Sequence, residues 1–342
     1  MLKHSTLFIT HRGQFHQQAA LDAAPSDLEI SMVRSPSKEE ILALLPGKEI
    51  LISERSGTID EEIIRAGKDL RLIQRLGSQT QDIDLDAAKA FGIPVCYLPI
   101  RSCIMVAEHM MMQMLGLSKR VNEMREVMLS ADNFGKEPAL CTEDTFAYNW
   151  SERQDIRGLW ESTVGILGMG EIGFELARRL RNFGCKVLYN KRNPLPAHTE
   201  RELNVEYASW DDLVSSSDFV CILLPFFSGG TEQSLNQEFF EKMKAGACFV
   251  SAGGSGVIDE KALATAIESG HLYGTAVDNY TWEPVRNDCP LLEPARQSGA
   301  NVILTPHVAA GTVPAVQKDL RIQDYQNVVR LLKGQDLAFR LV

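Results

Sequence analysis

Thr163-Val164-Gly165-Ile166-Leu167-Gly168-Met169-Gly170-Glu171-Ile172-Gly173 is the stretch that decides the fold of this chain. Its first five residues are apolar and partly β-branched, the composition of a buried strand. Beyond it, Ile172, Leu176, Leu180 and Phe183 recur at helical spacing. Between strand and helix stands Gly-x-Gly-x-x-Gly, weak alone and specific in that setting, where it opens a dinucleotide-binding βαβ unit. The first glycine permits a tight turn, the second keeps a side chain away from an approaching pyrophosphate, and the third lets helix and strand pack closely. Gly168, Met169, Gly170, Glu171, Ile172 and Gly173 are therefore the expected cofactor cradle, with free N–H groups at the helix start holding the phosphates.

Working outward, 342 residues suffice for two domains with a large core. A hydrophobic content of 44% and a charged content of 23% place the chain among ordinary globular proteins. The net charge of -10 argues against nucleic acid or an anionic membrane as the main partner. Seven scattered cysteines, without a Cys-x-x-Cys pair or a Cys/His cluster, predict reduced thiols, no metal site and a cytoplasmic setting. No secretory h-region opens the chain, and no apolar run approaches the roughly 20 residues of a membrane helix.

Strand-like and helix-like stretches alternate from end to end, which predicts an α/β fold with parallel sheets. After the glycines, strands are expected at Lys186–Tyr189, Phe219–Leu224 (ending at Pro225), Cys248–Ala252, Thr275–Val277 and Val302–Leu304. Helices are expected at Asn236–Lys244 and Asp259–Glu268, with Asp259 as N-cap. The first half has its own alternation: Thr6–Thr10 as a first strand, then Ile50-Leu51-Ile52, Leu72-Ile73 and Pro94-Val95. Ser102 to Met128 reads as one long helix, with Met105, Met112, Leu115 and Met124 among its apolar members, a stripe of core-packing type. From Phe134 to Arg157 the chain is polar and aromatic without period, an exposed excursion or oligomer arm.

Several segments together resemble the D-isomer-specific 2-hydroxyacid dehydrogenases. They are Asp82-Ile83-Asp84-Leu85-Asp86-Ala87-Ala88 with Gly92-Ile93-Pro94-Val95, Val106-Ala107-Glu108-His109, Thr163 to Gly173, Asp278 to Pro284, and Asn301 to His307. The resemblance covers nearly the whole length. It implies two Rossmann-like or flavodoxin-like domains, with the nucleotide domain (104–307) inserted into a discontinuous substrate domain (1–103 and 308–342). It also implies an active site in the cleft, a homodimer, and a returning C-terminal helix over Ala315–Leu332 with apolar Leu320, Val328, Val329 and Leu332.

Hydride transfer to a carbonyl needs a proton donor, a group that keeps it charged, and something that orients the substrate. His307 follows a predicted strand, at the end where open α/β sheets bind ligands. The resemblance makes His307 the acid/base and Glu283 its carboxylate, an arrangement in which the nearby anion favours imidazolium. It gives Asp278 to the nicotinamide amide. The third member departs from the pattern. Where the family carries a substrate-gripping arginine, registering Asp259-Glu260 puts Gly254, and glycine cannot offer a guanidinium fork. Ser78-Gln79-Thr80-Gln81 replaces the family's Gly-rich turn, and Ser102 stands where many members have asparagine. Three readings stay open. Another cation, Arg55 or Arg101, substitutes; or the wider pocket takes a bulkier substrate, with Gln79, Ser102 and Gly254 shaping it; or catalysis is largely lost.

At the end of the second nucleotide-domain strand, NAD enzymes place an acidic residue on the adenine ribose. Here Asn190-Lys191-Arg192 has no carboxylate and two cations, which suit a 2′-phosphate, so NADP is expected over NAD. The leading expectation is thus an NADP-preferring oxidoreductase interconverting a 2-oxo acid, or a related carbonyl, and its D-2-hydroxy acid. The rival is a nucleotide-sensing protein in which the cofactor binds without turnover.

Overall fold

The computed structural model describes residues 3–55, 57–225, 232–311 and 317–342, the side chains at 317 and 318 excepted. The chain divides into two compact units, Met1–Ile104 with Thr312–Val342 and Met105–Gly311. These divisions lie one and four residues beyond the expected ones.

The first unit holds five strands: β1 (His4–Thr10), β2 (Leu28–Arg34), β3 (Ile50–Glu54), β4 (Leu72–Leu76) and β5 (Val95–Leu98). All pair in parallel, in the order β2-β1-β3-β4-β5. Both faces are covered, in keeping with the apolar runs of β1 and β3. Leu7, Ile9, Leu51 and Ile73 point to one cluster with Ile41, Ile63 and Ile64. Phe8, Ile50, Ile52 and Leu72 point to the other, where Tyr325 and Val328 return from the C-terminal segment. That segment is Gln317–Arg321, a 3-10 turn Ile322–Tyr325 and a helix Gln326–Leu332. Residues 315 and 316 of the expected helix lie outside the described residues.

The second unit holds β6 (Thr163–Leu167), β7 (Lys186–Asn190), β8 (Val205–Tyr207), β9 (Phe219–Ile222), β10 (Cys248–Ser251), β11 (Gly274–Val277) and β12 (Val302–Leu304). They form one parallel sheet in the order β12-β11-β10-β9-β6-β7-β8. The chain runs outward from β6 through β7 and β8, then resumes at β9 on the other side of β6. The boundary of β6 and β9 is therefore the topological switch point, where such sheets bind ligands. Asp259 caps its helix as expected, accepting from the N–H groups of Lys261 and Ala262.

Two strands escaped the sequence reading, β2 and β8. Both are edge strands. In β2 only Leu28 is buried, and in β8 only Val205, so neither carries the apolar run by which central strands are found.

The long helix from 102 to 128 is corrected to two, Arg101–Ser118 and Val121–Ser130. Arg120 breaks it with φ 51°. Tertiary partners hold that turn: Arg120 donates to the Gly299 carbonyl at 2.6 Å, and the Ser118 carbonyl accepts from Arg157 N–H at 2.9 Å. The methionine stripe is corrected in phase. Met110, Met111 and Met114 are in the core, whereas Met112 is 45% exposed. The stretch 134–157 has no helix or strand and is almost wholly exposed. No helix among the described residues is long and apolar enough to cross a membrane.

Candidate active site

The glycine cradle lies at the switch point, and each glycine has its own reason. Gly168 has φ +102°, and a Cβ there would stand 2.5 Å from the Leu223 carbonyl oxygen just past β9. Gly173 would bring a Cβ to 3.0 Å of the Gly168 oxygen, the close packing of helix on turn. Gly170 is different: a Cβ would meet nothing within 4 Å. It is the N-cap of the helix Glu171–Asn182 and offers no side chain to the first N–H groups. Open space beside a helix start that its N-cap side chain does not fill fits a dinucleotide's phosphates. Met169 and Glu171 are buried, at 2% and 6% exposure, so their side chains face the protein; Ile172 packs partly against the core.

The turn after β7 is braced from within. The Tyr189 hydroxyl donates to Glu200 Oε1 and accepts from Leu195 N–H, both at 2.7 Å. Burial, with Glu200 beside it, pushes that hydroxyl up, so it stays protonated. Asn190 Nδ2 donates to the Ala208 carbonyl at 2.8 Å, while the Asn190 carbonyl accepts from Gly168 N–H at 3.1 Å. The cradle is thus tied to the turn that carries half-buried Lys191 and exposed Arg192. Pro225, exposed, follows β9.

The structure brings His307 and Glu283 together. His307 Nδ1 lies 2.7 Å from Glu283 Oε2. Glu283 Oε1 accepts from Tyr280 N–H at 3.0 Å, which fixes the carboxylate toward the ring. His307 is in the left-handed region, φ +52°, and its side chain is 50% exposed. A residue held in that region needs its surroundings to hold it. Asp278 supplies the hold. Its carboxylate has no exposed surface and accepts from Thr305 Oγ1 at 2.6 Å, Val308 N–H at 3.0 Å and Ala309 N–H at 2.9 Å. Asp278, expected at the nicotinamide amide, accepts on both oxygens from the loop that carries His307.

Two residues of this cluster were missed by the sequence reading. His109 Nε2 lies 3.1 Å from Thr305 Oγ1. Burial pushes His109 down against the raising effect of Asp278, which favours a neutral ring. Asn279 Nδ2 lies 2.9 Å from His307 Nε2. Adjacency to Asp278 was the available signal for Asn279. For His109 it was the Ala-Glu-His motif, noted as part of the resemblance without a role.

Gly254 gives the loop after β10 no side chain, and its carbonyl accepts from Val257 N–H at 3.3 Å. Its neighbour Gly253 could not be anything else, because a Cβ would stand 2.7 Å from Leu223 Cα.

Arg55, Gln79, Arg101 and Ser102 belong to the first unit. Arg55 follows β3 with φ +70°. It sits in a cluster of charges: burial and then the charge of Arg55 push the Arg12 guanidinium down. Arg321 Nη1 donates to Glu54 Oε1 at 2.7 Å. Gln79 is buried and accepts from Gln81 Nε2 at 3.3 Å, whereas Arg101 and Ser102 are exposed at the start of their helix. Beneath this loop, Arg75 is fully buried in β4 and donates from Nη2 to Asp82 Oδ1 at 2.8 Å and to the Gly57 carbonyl at 2.9 Å. Among the described residues no group of three or more His, Cys, Asp or Glu side chains is placed to hold a metal.

Comparison with known proteins matches residues 111–309 to the family model "D-isomer specific 2-hydroxyacid dehydrogenase, NAD binding domain". A D-3-phosphoglycerate dehydrogenase of Mycobacterium leprae is 30% identical over 314 residues, 92% of this chain and 54% of that protein. The chain thus spans about half the length of the first curated relatives it matches. A hydroxypyruvate reductase of Thermotoga maritima is 31% identical over 283 residues, 82% of this chain and 84% of the relative. Among solved structures, a glyoxylate reductase from Paecilomyes thermophila has 26% identity and a TM-score of 0.53, with 100% of this chain and 99% of that one covered.

Proposed function

The chain belongs to the D-isomer specific 2-hydroxyacid dehydrogenase family, and from that premise we propose an NADP-preferring enzyme interconverting a 2-oxo acid, or a related carbonyl, and its D-2-hydroxy acid. The observation that carries this is the His307–Glu283 pair, 2.7 Å apart on the loops that follow β12 and β11. A carboxylate can only accept, so Glu283 keeps a hydrogen on Nδ1 and aims Nε2 outward. The nicotinamide, when bound, supplies or takes the hydride. His307 Nε2 gives the proton to the substrate oxygen in reduction and takes it back in oxidation. Asp278 holds the loop through Thr305, Val308 and Ala309, so the ring's aim does not depend on an exposed loop's own stiffness.

Two finer points belong to the same reading. Lys191 and Arg192, without a carboxylate after β7, favour the 2′-phosphate of NADP. Gly254 cannot grip a carboxylate, and Arg55, grouped with Arg12 and Arg321, is the cation we assign to an anionic substrate. The test is a consumption assay with NADPH and NADH over a panel of 2-oxo acids, aldehydes and ketones, with His307→Gln as control. Turnover with NADPH that exceeds turnover with NADH and collapses in H307Q is expected. Tight cofactor binding without turnover on any carbonyl would overturn the enzymatic reading, and an NADH preference would overturn the cofactor.

A further inference from the structure

The first unit has a switch point of its own. Its sheet runs β2-β1-β3-β4-β5, so the chain leaves β1 for the edge and resumes at β3 on the other side of β1. Such a sheet takes ligands beyond the carboxyl ends of those two strands. Arg12 stands two residues past β1, and Arg55 directly follows β3. Both are half-buried. The carboxylates of the cluster are held by another residue: Arg321 Nη1 donates to Glu54 Oε1 at 2.7 Å, and Arg321 Nε lies 2.6 Å from Asp324 Oδ2. Arg12 Nη2 reaches only the His16 ring, 2.8 Å from its Nε2, and burial and then the charge of Arg12 push that ring toward its neutral form. Arg55 makes no side-chain hydrogen bond or ion pair among the described residues, and its Nε and that of Arg12 are buried without a partner. The charge of Arg55 nonetheless acts on Arg12, so two guanidinium groups repel each other with no carboxylate on either. Arg55 is also kept at φ +70°, its N–H donating to the Leu76 carbonyl at 2.7 Å. Repulsion and a left-handed backbone at one strand end are the marks of a binding site.

We propose that Arg12 and Arg55 form an oxyanion site for two negative charges, and that the substrate is therefore a 2-oxo acid, with its D-2-hydroxy acid, carrying a second acidic group. This rests on the reading of the chain as a 2-hydroxyacid dehydrogenase with Arg55 at the substrate. The charges of the cluster set the class. Arg12, Arg55 and Arg321 face two carboxyl groups, Glu54 and Asp324. Burial pulls Glu54 up, and Arg321 more than offsets it, so Glu54 stays charged. Burial pushes Asp324 up to about 7, so its charge is only partly present at neutral pH. At least one positive charge is left over, and more where Asp324 is protonated. A guanidinium fork takes one carboxylate through a pair of parallel N–H bonds. The two forks without a carboxylate match either two carboxylates or the three acceptor oxygens of a phosphate. An acid with one carboxylate leaves one of them unpaired. Both arginines belong to the first unit and the glycine cradle to the second, so the two anion sites are separable by mutation.

The experiment uses the full-length chain and the variants Arg12→Gln and Arg55→Gln, with whichever of NADPH and NADH serves better. Three probes are compared: 2-oxopentanoate, 2-oxoglutarate of the same chain length with a far carboxylate, and 2-oxo-4-phosphonobutanoate with a phosphonate in its place. For the wild type, kcat/KM on the two acidic probes is expected to exceed that on 2-oxopentanoate by roughly tenfold to a hundredfold, the worth of one charge-assisted hydrogen bond. The carboxylate and phosphonate arms tell which acidic group fits better. In R12Q and in R55Q the ratio of acidic probe to 2-oxopentanoate falls toward one. A wild-type ratio near one on both acidic probes, or a ratio that survives in both variants, overturns the proposal, and the wild-type ratio stands even where a variant does not fold. Failure of the enzymatic reading is separate, because then no carbonyl turns over. Inorganic phosphate, titrated by 31P NMR, decides the site in that case: binding that weakens roughly tenfold or more in R12Q and R55Q supports it, and binding that is absent or equal in wild type and variants overturns it.

Discussion

Replacing Asp278 with asparagine keeps its shape and removes its charge, and the structure says what that costs. Oδ1 accepts from Thr305 Oγ1 and Val308 N–H, and Oδ2 accepts from Ala309 N–H. An asparagine that keeps the first two bonds turns its NH2 toward the Ala309 N–H, donor against donor in a site without exposed surface. A buried donor left unmade costs about 1–3 kcal/mol, and two bonds that lose charge assistance weaken by about 1 kcal/mol each. The expected loss is about 3–5 kcal/mol, at least a hundredfold in the unfolding equilibrium of the second unit. The chain's four tryptophans, Trp150, Trp160, Trp210 and Trp282, all lie in that unit, so intrinsic fluorescence reports its unfolding selectively. With a urea slope of about 2–3 kcal/mol per molar, the midpoint falls by about 1–2 M. Turnover falls as well, because the loop no longer holds His307 at φ +52°. A midpoint within about 0.3 M of wild type, at the same slope, together with weakened cofactor binding, would refute the anchoring and return the carboxylate to the nicotinamide.

Two further outcomes test the first unit. Asp82→Ala removes a carboxylate that the fully buried Arg75 pairs with. It should cost about 3–5 kcal/mol in urea unfolding followed by far-UV circular dichroism, and adding Arg75→Met should recover part of that. Recovery of nothing would mean that the loss comes from the Gly57 N–H, which also donates to Asp82. Asp324 is a buried carboxyl whose pKa burial pushes up to about 7, against the lowering effect of Arg321. Because its folded value lies above the unfolded one, the folded state holds the extra proton between about pH 4 and 7, and this group's contribution to stability declines as pH rises through that window. Asp324→Asn should flatten that decline. A wild-type slope in the variant, measured by urea titrations at pH 4.5 and 7.5, would assign it to other groups.

Much of this molecule is legible along the chain. Central strands such as Ile50–Glu54 and Thr163–Leu167 are apolar on both faces, so their periodicity survives in isolation. Edge strands do not announce themselves, since β2 and β8 bury one residue each. The expected helix through 102–128 has helical period at every point, yet Arg120 breaks it under contacts from Gly299, and Arg157 takes the Ser118 carbonyl. Phase is equally tertiary: which methionines are buried depends on where the neighbouring sheet lies.

The sequence by itself determined the α/β class and the three glycines with their separate duties. These rest on local chemistry, namely side-chain period, backbone freedom and short motifs, which neighbours in the chain carry with them. The pairing of Glu283 with His307 was expected only through the family resemblance. Tertiary structure alone decided the partners of polar side chains. Asp278 anchors the histidine loop and Asn279 meets Nε2 because β11 and β12 lie side by side, Val277 opposite Leu304, 27 positions apart in the chain. Hydrogen bonding is settled by distances of about 3 Å, and no spacing in a linear sequence encodes which atoms come that close.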